Sequence, residues 1–337
     1  LVEAGESAVA QERFANYATR LARDEGRRLD SRDMKEATDR LWAEMDNLRA
    51  VAEWFAEVGR LDALVELTRA LWLFLSDEAS SLGRAWIDPV VDRSEPADPQ
   101  LRYDAIWMAG VFAINGGDVE RALVAVDRGR ALVVADAGVE ESPWSLHPEL
   151  MIAANTFDDL ALRALCSRAM ELAETRGDST AANFAASMEM IAMVADTGEF
   201  EERLAGLLAD IETSGNPRWL ATTLSCAAGP LGGSDRAPAS ERARALALLE
   251  AHPGWEAVGG LFDVVFANIL GLALIGRSAT DAARAALAGV RVGDRLGTEI
   301  LLTNCLEPLL LATATIGQTR AAVRLRAELL HGTRHPI

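Results

Sequence analysis

Lysine is almost missing from this chain of 337 residues: Lys35 is the only one, and the remaining basic side chains are arginines. A phosphate-binding P-loop needs a lysine after a glycine-rich turn. Lys35 follows Arg32-Asp33-Met34, so this segment carries no Walker-type nucleotide site. Cysteine is scarce too. Cys166, Cys226 and Cys305 lie far apart, form no Cys-x-x-Cys pair, and point to a reducing, cytoplasmic compartment. Basic charge is short: 33 basic against 51 acidic residues give a formal net charge of −18, which argues against direct nucleic-acid binding. No run is apolar enough for a membrane span, because the best stretch, 259–276, is interrupted by Asp263 and Asn268. It reads as a buried helix. No signal peptide is present, and the chain starts at Leu1 rather than Met, as expected of a piece of a longer protein. Alternation with period two is missing, so no sheet is expected.

Catalytic signatures are equally thin. There is no Gly-x-Ser-x-Gly elbow and no Cys-His pairing. Asp158-Asp159-Leu160-Ala161-Leu162 lacks the third acid of a magnesium-holding Asp-Asp-x-x-Asp run and reads as a helix start. A helical-toroid glycosidase needs two carboxylates facing across a cleft, and no pair stands out. His331 and His335 are four apart, but Pro336 follows and no acidic third ligand is evident. His147 and His252 each precede a proline and read as loop residues. Gly229-Pro230-Leu231-Gly232-Gly233 lacks dinucleotide spacing. No catalytic residue, metal or cofactor is therefore expected in this segment.

What the chain does have is punctuation. Turn signals fall near Ser80, Gly117-Asp118, Phe157-Asp158, Gly198-Glu199, Asp235-Arg236, Gly276-Arg277 and Gly317-Gln318, at gaps of 37 to 41 residues. Each separates two stretches of helical spacing, and half of all residues are hydrophobic. A helix-turn-helix unit of this length cannot bury its own apolar face, so neighbours must stack. The expected fold is all-α: residues 61–337 form an α-solenoid of about seven tetratricopeptide-like repeats, behind a helical adaptor over residues 1–60. In the adaptor, 11–24 reads as a polar-faced helix, and the pattern leaves open whether it packs on the solenoid. A helix from Asp33 carries Met45, Leu48, Val51 or Ala52, Phe55 and Val58 on one stripe, stopped by Gly59. The next runs through Leu61, Leu64, Thr68, Leu71, Trp72 and Leu75, and a shorter one holds Trp86, Ile87 and Val90, with Pro96 and Pro99 as connector.

The clearest repeat spans 101–135, with Gly110 allowing close helix approach and Val119, Ala122, Leu123, Val126, Gly129 and Val133 on one face of the second helix. The same grammar recurs over 179–213 and over 258–292, where Ser278-Ala279-Thr280-Asp281 resembles a capping box. The Asp158 repeat has a short first helix, and 229–240 reads as an extended loop. Counting back from the turns places Asp104, Trp107, Val111, Met188, Asp263, Phe266, Asn304 and Glu307 on the concave face. Aromatic and Met anchors with a few acids suit a peptide, a helix or a small ligand. The same spacing also fits ordinary packing between repeats.

Leu1-Val2-Glu3-Ala4-Gly5-Glu6 and Arg13-Phe14-Ala15-Asn16-Tyr17 resemble the stretch that follows the winged-helix part of STAND ATPase regulators. Glu44-Met45-Asp46-Asn47-Leu48-Arg49-Ala50, Trp54, Gly59-Arg60-Leu61-Asp62, Leu71-Trp72-Leu73-Phe74 and Arg84-Ala85-Trp86-Ile87 continue the pattern. That series is similar to the start of the tetratricopeptide-like C-terminal region of AfsR/MalT-like and LuxR-type actinobacterial regulators. Some relatives carry a nucleotide cyclase domain at the front. The motifs cover roughly residues 1–90. The resemblance implies a right-handed solenoid acting as a sensor arm: it binds an inducer or protein partner and controls the ATPase module of the same polypeptide. The segment itself lacks the nucleotide-binding, cyclase and DNA-binding parts. The runner-up is a free-standing repeat scaffold, and an all-helical hydrolase is the weaker alternative.

Overall fold

Six helix starts between Asp98 and Ser278 are written locally. Asp98, Asp118, Asp158 and Asp178 each accept a hydrogen bond from the backbone N–H three residues on. Ser278 does the same for Asp281, and Asn216 accepts from the Arg218 N–H behind Pro217. Each such cap stabilises its helix by about 1 kcal/mol. A computed structural model describes residues 6–93, 98–156, 158–193, 198–232, 239–253, 258–296, 299–318 and 320–324, and all regular structure among them is helical. The connectors expected at Pro96 and at Asp235-Arg236, and the pair His331 and His335, lie outside the described residues.

The first six helices are α1 (Glu6–Arg28), α2 (Met34–Ala43), α3 (Met45–Glu57), α4 (Leu61–Ala70), α5 (Trp72–Glu78) and α6 (Ser80–Arg93). Two expected helices are thus each split, at Glu44 and at Leu71, with no glycine or proline at either break. Met45, Leu48, Val51, Ala52 and Phe55 are buried as the stripe predicts, whereas Val58 at the C-cap is half exposed. Helix α1 is longer than the expected 11–24 and packs on α2, α3, α4 and α5. It buries Ala15, Ala18, Leu21 and Ala22 there. The described part of the expected adaptor therefore shares one apolar core with the later helices, running from Ala15 to Ile269. The break at Leu71 re-aims α5 inward.

From Pro99 the helices follow in pairs. These are α7 (Pro99–Asn115) and α8 (Val119–Ala135), α9 (His147–Thr156) and α10 (Asp159–Arg176), α11 (Ser179–Glu189) and α12 (Gly198–Ser214), α13 (Pro217–Gly232) and α14 (Ala239–Ala251), and α15 (Leu261–Leu274) and α16 (Ala279–Leu296). The final helix, α17, spans Glu299–Thr315. Each helix packs on the next, and first helices also pack on one another: α7 on α9, α11 on α13, α13 on α15, and α15 on α17. A Cβ on Gly110 would stand 3.2 Å from the Ala125 Cβ, so α7 and α8 approach closely as predicted. On α8, Ala122, Val126 and Gly129 are buried, but Leu123 faces outward. The expected loop over 229–240 is shorter, because α13 continues through Gly232 and α14 begins at Ala239.

The inner side of these pairs is not open. Helix α5 packs on both α7 and α15. Asp30, in the α1–α2 turn, accepts hydrogen bonds from Thr180 Oγ1 on α11 and from Asn216 Nδ2, the latter at 2.8 Å. Asp77 on α5 pairs with Arg218 on α13, each side chain 8% exposed. The Glu78 carboxylate lies against Gly260, whose φ of +59° and lack of a Cβ let the chain pass. The N-terminal helices thus sit across the face on which the later first helices converge.

Candidate functional site: a cavity beneath the N-terminal helices

Between α5 and that converging face lies a cavity of about 260 Å³. Helical spacing explains who lines it. On α5, Trp72 and Leu73 stand one turn before Ser76 and Asp77; on α11, Phe184 stands one turn before Met188. Helix α13 gives Arg218, Thr222, Ser225 and Cys226, again one stripe, and α15 gives Leu261, Phe262 and Val265. Asn115 closes the end of α7, His147 and Met151 come from α9, and Trp144 comes from the 3-10 turn Pro143–Leu146 before it.

One part of the wall is an aromatic cluster. Trp72 and Trp144 have ring centroids 4.4 Å apart; Trp144 lies 5.3 Å from Phe184, which lies 5.3 Å from the His147 imidazole. Trp144 is held in place by its Nε1–H, which donates to Asp178 Oδ2 at 3.1 Å. Two polar groups interrupt this surface. In one, Asn115 Nδ2 donates to Ser76 Oγ at 2.9 Å, which turns Asn115 Oδ1 toward His147 Nε2 at 3.4 Å. In the other, Arg218 Nη2 donates to the Asp77 carboxylate and, at 3.4 Å, to the Leu73 carbonyl.

Two atoms of these groups are buried without a hydrogen-bond partner among the described residues: His147 Nδ1 and Arg218 Nε. Such an orphan costs about 1–3 kcal/mol. Burial pushes the His147 imidazole down to about 4, so at neutral pH it is uncharged. Asp77 is pushed up by burial, with the Arg218 charge opposing. Glu78 beside it is pushed up to about 7, by burial and then by the Asp77 charge, against a hydrogen bond from Trp42. Burial raises the Cys226 thiol to about 12, far from a reactive thiolate. At neutral pH the Cys226 thiol is therefore protonated, and the Asp77 carboxyl is tied to Arg218. Among the described residues, no three His, Cys, Asp or Glu side chains gather as metal ligands.

Of the concave-face residues expected from the sequence, seven have described side chains, and among them Met188 lines the cavity. Asp104 is buried and accepts from Arg69 Nη1 at 2.9 Å, Gln100 Nε2 at 3.2 Å and Trp107 Nε1 at 3.1 Å. Trp107 packs edge-on against Trp72 at 5.6 Å, and Val111 is fully buried. They belong to the stripe that ends at Asn115, but α4 and α5 cover it. On α15 the phase is shifted by one residue: Phe262 and Val265 face the cavity, while Phe266 is core and Asp263 is half-buried, its carboxyl raised by burial. Helix α15 has Asp263 and Asn268 as its polar side chains among many apolar ones, so periodicity alone could not set its phase. Glu307 is exposed, and the Asn304 side chain lies outside the described residues. His147 was missed because His-Pro reads as a loop. Pro148 in the first turn was the available signal, since proline favours that position.

No protein-family model matches this chain, and no curated protein matches it. The likeness to STAND regulators rests on the motifs within residues 1–90.

Proposed function

We propose that this chain is the non-catalytic sensor arm of a larger STAND ATPase-type transcriptional regulator. In this reading the helix pairs form a tetratricopeptide-like solenoid, right-handed as in the resembling family, and an inducer acts from its inner side on the ATPase module of the same polypeptide. One observation carries it. The walls of the cavity come both from the N-terminal helix α5 and from first helices more than 100 residues later, so an occupant there contacts the end of the array nearest the expected ATPase module. Small shifts at successive helix-pair interfaces add up along a solenoid. Among the described residues no helix is long and apolar enough to cross a membrane, in keeping with a cytoplasmic regulator.

The test has two stages. The coding frame upstream of Leu1 should contain a P-loop and a winged helix; their absence would sink the regulator and leave a free-standing scaffold for a protein partner. Where they are present, the upstream portion should bind this segment, and small molecules from cell extract should release it. Binding that no extract fraction alters would contradict an inducer-controlled arm.

A further inference from the structure

We infer that the cavity beneath α5 binds a small uncharged ring molecule, held by burial against apolar side chains rather than by hydrogen bonds. The inference rests on the reading of this cavity as a ligand site, and not on the presence of an ATPase.

The apolar surface comes from three helices. Met151 on α9, Phe184 on α11, and Leu261, Phe262 and Val265 on α15 all line the cavity, yet each is only partly buried. Covering that surface drives binding through the hydrophobic effect. Met188 and Cys226, whose sulfur atoms meet at 3.9 Å, add soft, polarizable surface beside it. Flat rings pack offset or edge-on against aromatic neighbours such as Phe184 and Phe262. Cavities with mainly apolar linings take up small uncharged rings such as benzene. The volume of about 260 Å³ falls just under the roughly 300–1,000 Å³ of ordinary ligand pockets, which limits the occupant to one or two fused rings.

The polar side chains on the wall set what the occupant must not carry. Thr222 Oγ1 donates to the Arg218 carbonyl at 2.9 Å and Ser225 Oγ to the Thr222 carbonyl at 2.8 Å, so neither hydroxyl has a hydrogen left for an occupant. Asn155 Nδ2 donates to the Met151 carbonyl at 2.7 Å, and Asn115 Nδ2 is engaged by Ser76. Asp77 and Arg218 are the charged side chains of the lining, and they neutralise one another. An ion entering here would be stripped of water with no counter-charge to replace it. The cavity therefore discriminates between uncharged and charged molecules of one shape.

The test uses the full chain and three probes built on one ring system: naphthalene, 2-naphthoate and 2-naphthylmethylammonium. Calorimetry should show naphthalene bound at least tenfold more tightly than either ion, with the negative heat-capacity change of buried apolar surface. Ser225→Phe fills the space from α13 and should weaken naphthalene binding at least tenfold. Ala154→Phe fills it from α9 and serves if Ser225→Phe does not fold. No naphthalene binding, a preference below tenfold over either ion, a heat-capacity change near zero, or unchanged affinity in a folded variant would each overturn the proposal. None of these readouts depends on an upstream module. A chain without a P-loop upstream that binds naphthalene refutes the regulator and keeps the site; a regulator whose segment ignores naphthalene does the reverse.

Discussion

Helices α7 and α13 turn similar stripes toward the N-terminal helices, yet one stripe is sealed and the other borders a cavity. On α7, Asp104 collects three donors, Trp107 meets Trp72, and Val111 is wholly buried under α4 and α5. On α13, Arg218 spans to Asp77, and beyond it Thr222, Ser225 and Cys226 face open space. The difference lies in the cover. Helix α4 packs directly on α7, whereas α5 reaches α13 through a buried ion pair. Close packing excludes a ligand, and a bridging ion pair leaves room for one.

That contrast breaks most sharply at the two arginines. Arg218→Ala strands a buried carboxylate, and should destabilise the chain by about 3–5 kcal/mol. Arg69→Ala removes a partner that is 48% exposed, and Asp104 keeps Gln100 and Trp107 as donors. Its cost should stay under about 1 kcal/mol. Urea unfolding of both variants at one pH checks the ordering. Similar losses would mean that Arg218 is hydrated in solution and that α5 does not seal the cavity.

Glu78 sharpens the comparison through pH. Its carboxyl, held at about 7 in the folded chain against 4.5 for the ordinary group, is protonated more in the folded state than in the unfolded one. Stability from this group is complete below about pH 4.5 and is lost as pH rises through 7. The loss is roughly 3 kcal/mol at most. Glu78→Gln should therefore match the parent near pH 4.5 and exceed it at pH 7.5. His147 works in the opposite sense. Held down to about 4, it contributes stability that is present above about pH 6.5 and lost as pH falls toward 4. The two oppose one another between 4.5 and 6.5, so the difference between variant and parent is informative where a single profile is not. Asp77, Asp263 and Arg218 also act on Glu78, and none changes in that variant.

The glycines give a smaller contrast. At Gly260 a Cβ would collide with the Glu78 carboxylate and the Asp77 carbonyl, at a φ that L-residues avoid. Gly260→Ala should cost about 1–3 kcal/mol. At Gly110 the Cβ would meet Ala125 at 3.2 Å. The crowding there is set against a gain in helix propensity of about 0.8–1 kcal/mol, so Gly110→Ala should be near neutral. Thermal unfolding of the pair reads this directly.

Legibility in the sequence divides along the same line. The caps at Asp118, Asp158 and Ser278 and the turn at Gly117 were readable because their chemistry is complete within four residues. The buried stripe of α3 was readable because one face is apolar and the other charged. Breaks at Glu44 and Leu71 were not, since the 3.6-residue pattern runs on through both and tertiary packing sets the bend. Nor was the cavity. Its two polar groups join Ser76 to Asn115 and Asp77 to Arg218, partners 39 and 141 positions apart, and no local signal links such residues.

A further tie sits at the same N-terminal end of α13 as Arg218. Asn216 both caps that helix and donates to Asp30, which also accepts from Thr180. Asn216→Ser keeps a capping oxygen but cannot reach Asp30, so its cost isolates the tie from the cap at about 0.5–1.5 kcal/mol. Asp30→Ala should cost more, because Thr180 and Asn216 both lose their acceptor. A double-mutant cycle between the two positions should give a coupling near 0.5–1 kcal/mol. Strict additivity would mean that the α1–α2 turn does not hold α13 in solution. The N-terminal helices would then meet α13 and α15 through α5, and the cavity would open on the side of Asp30.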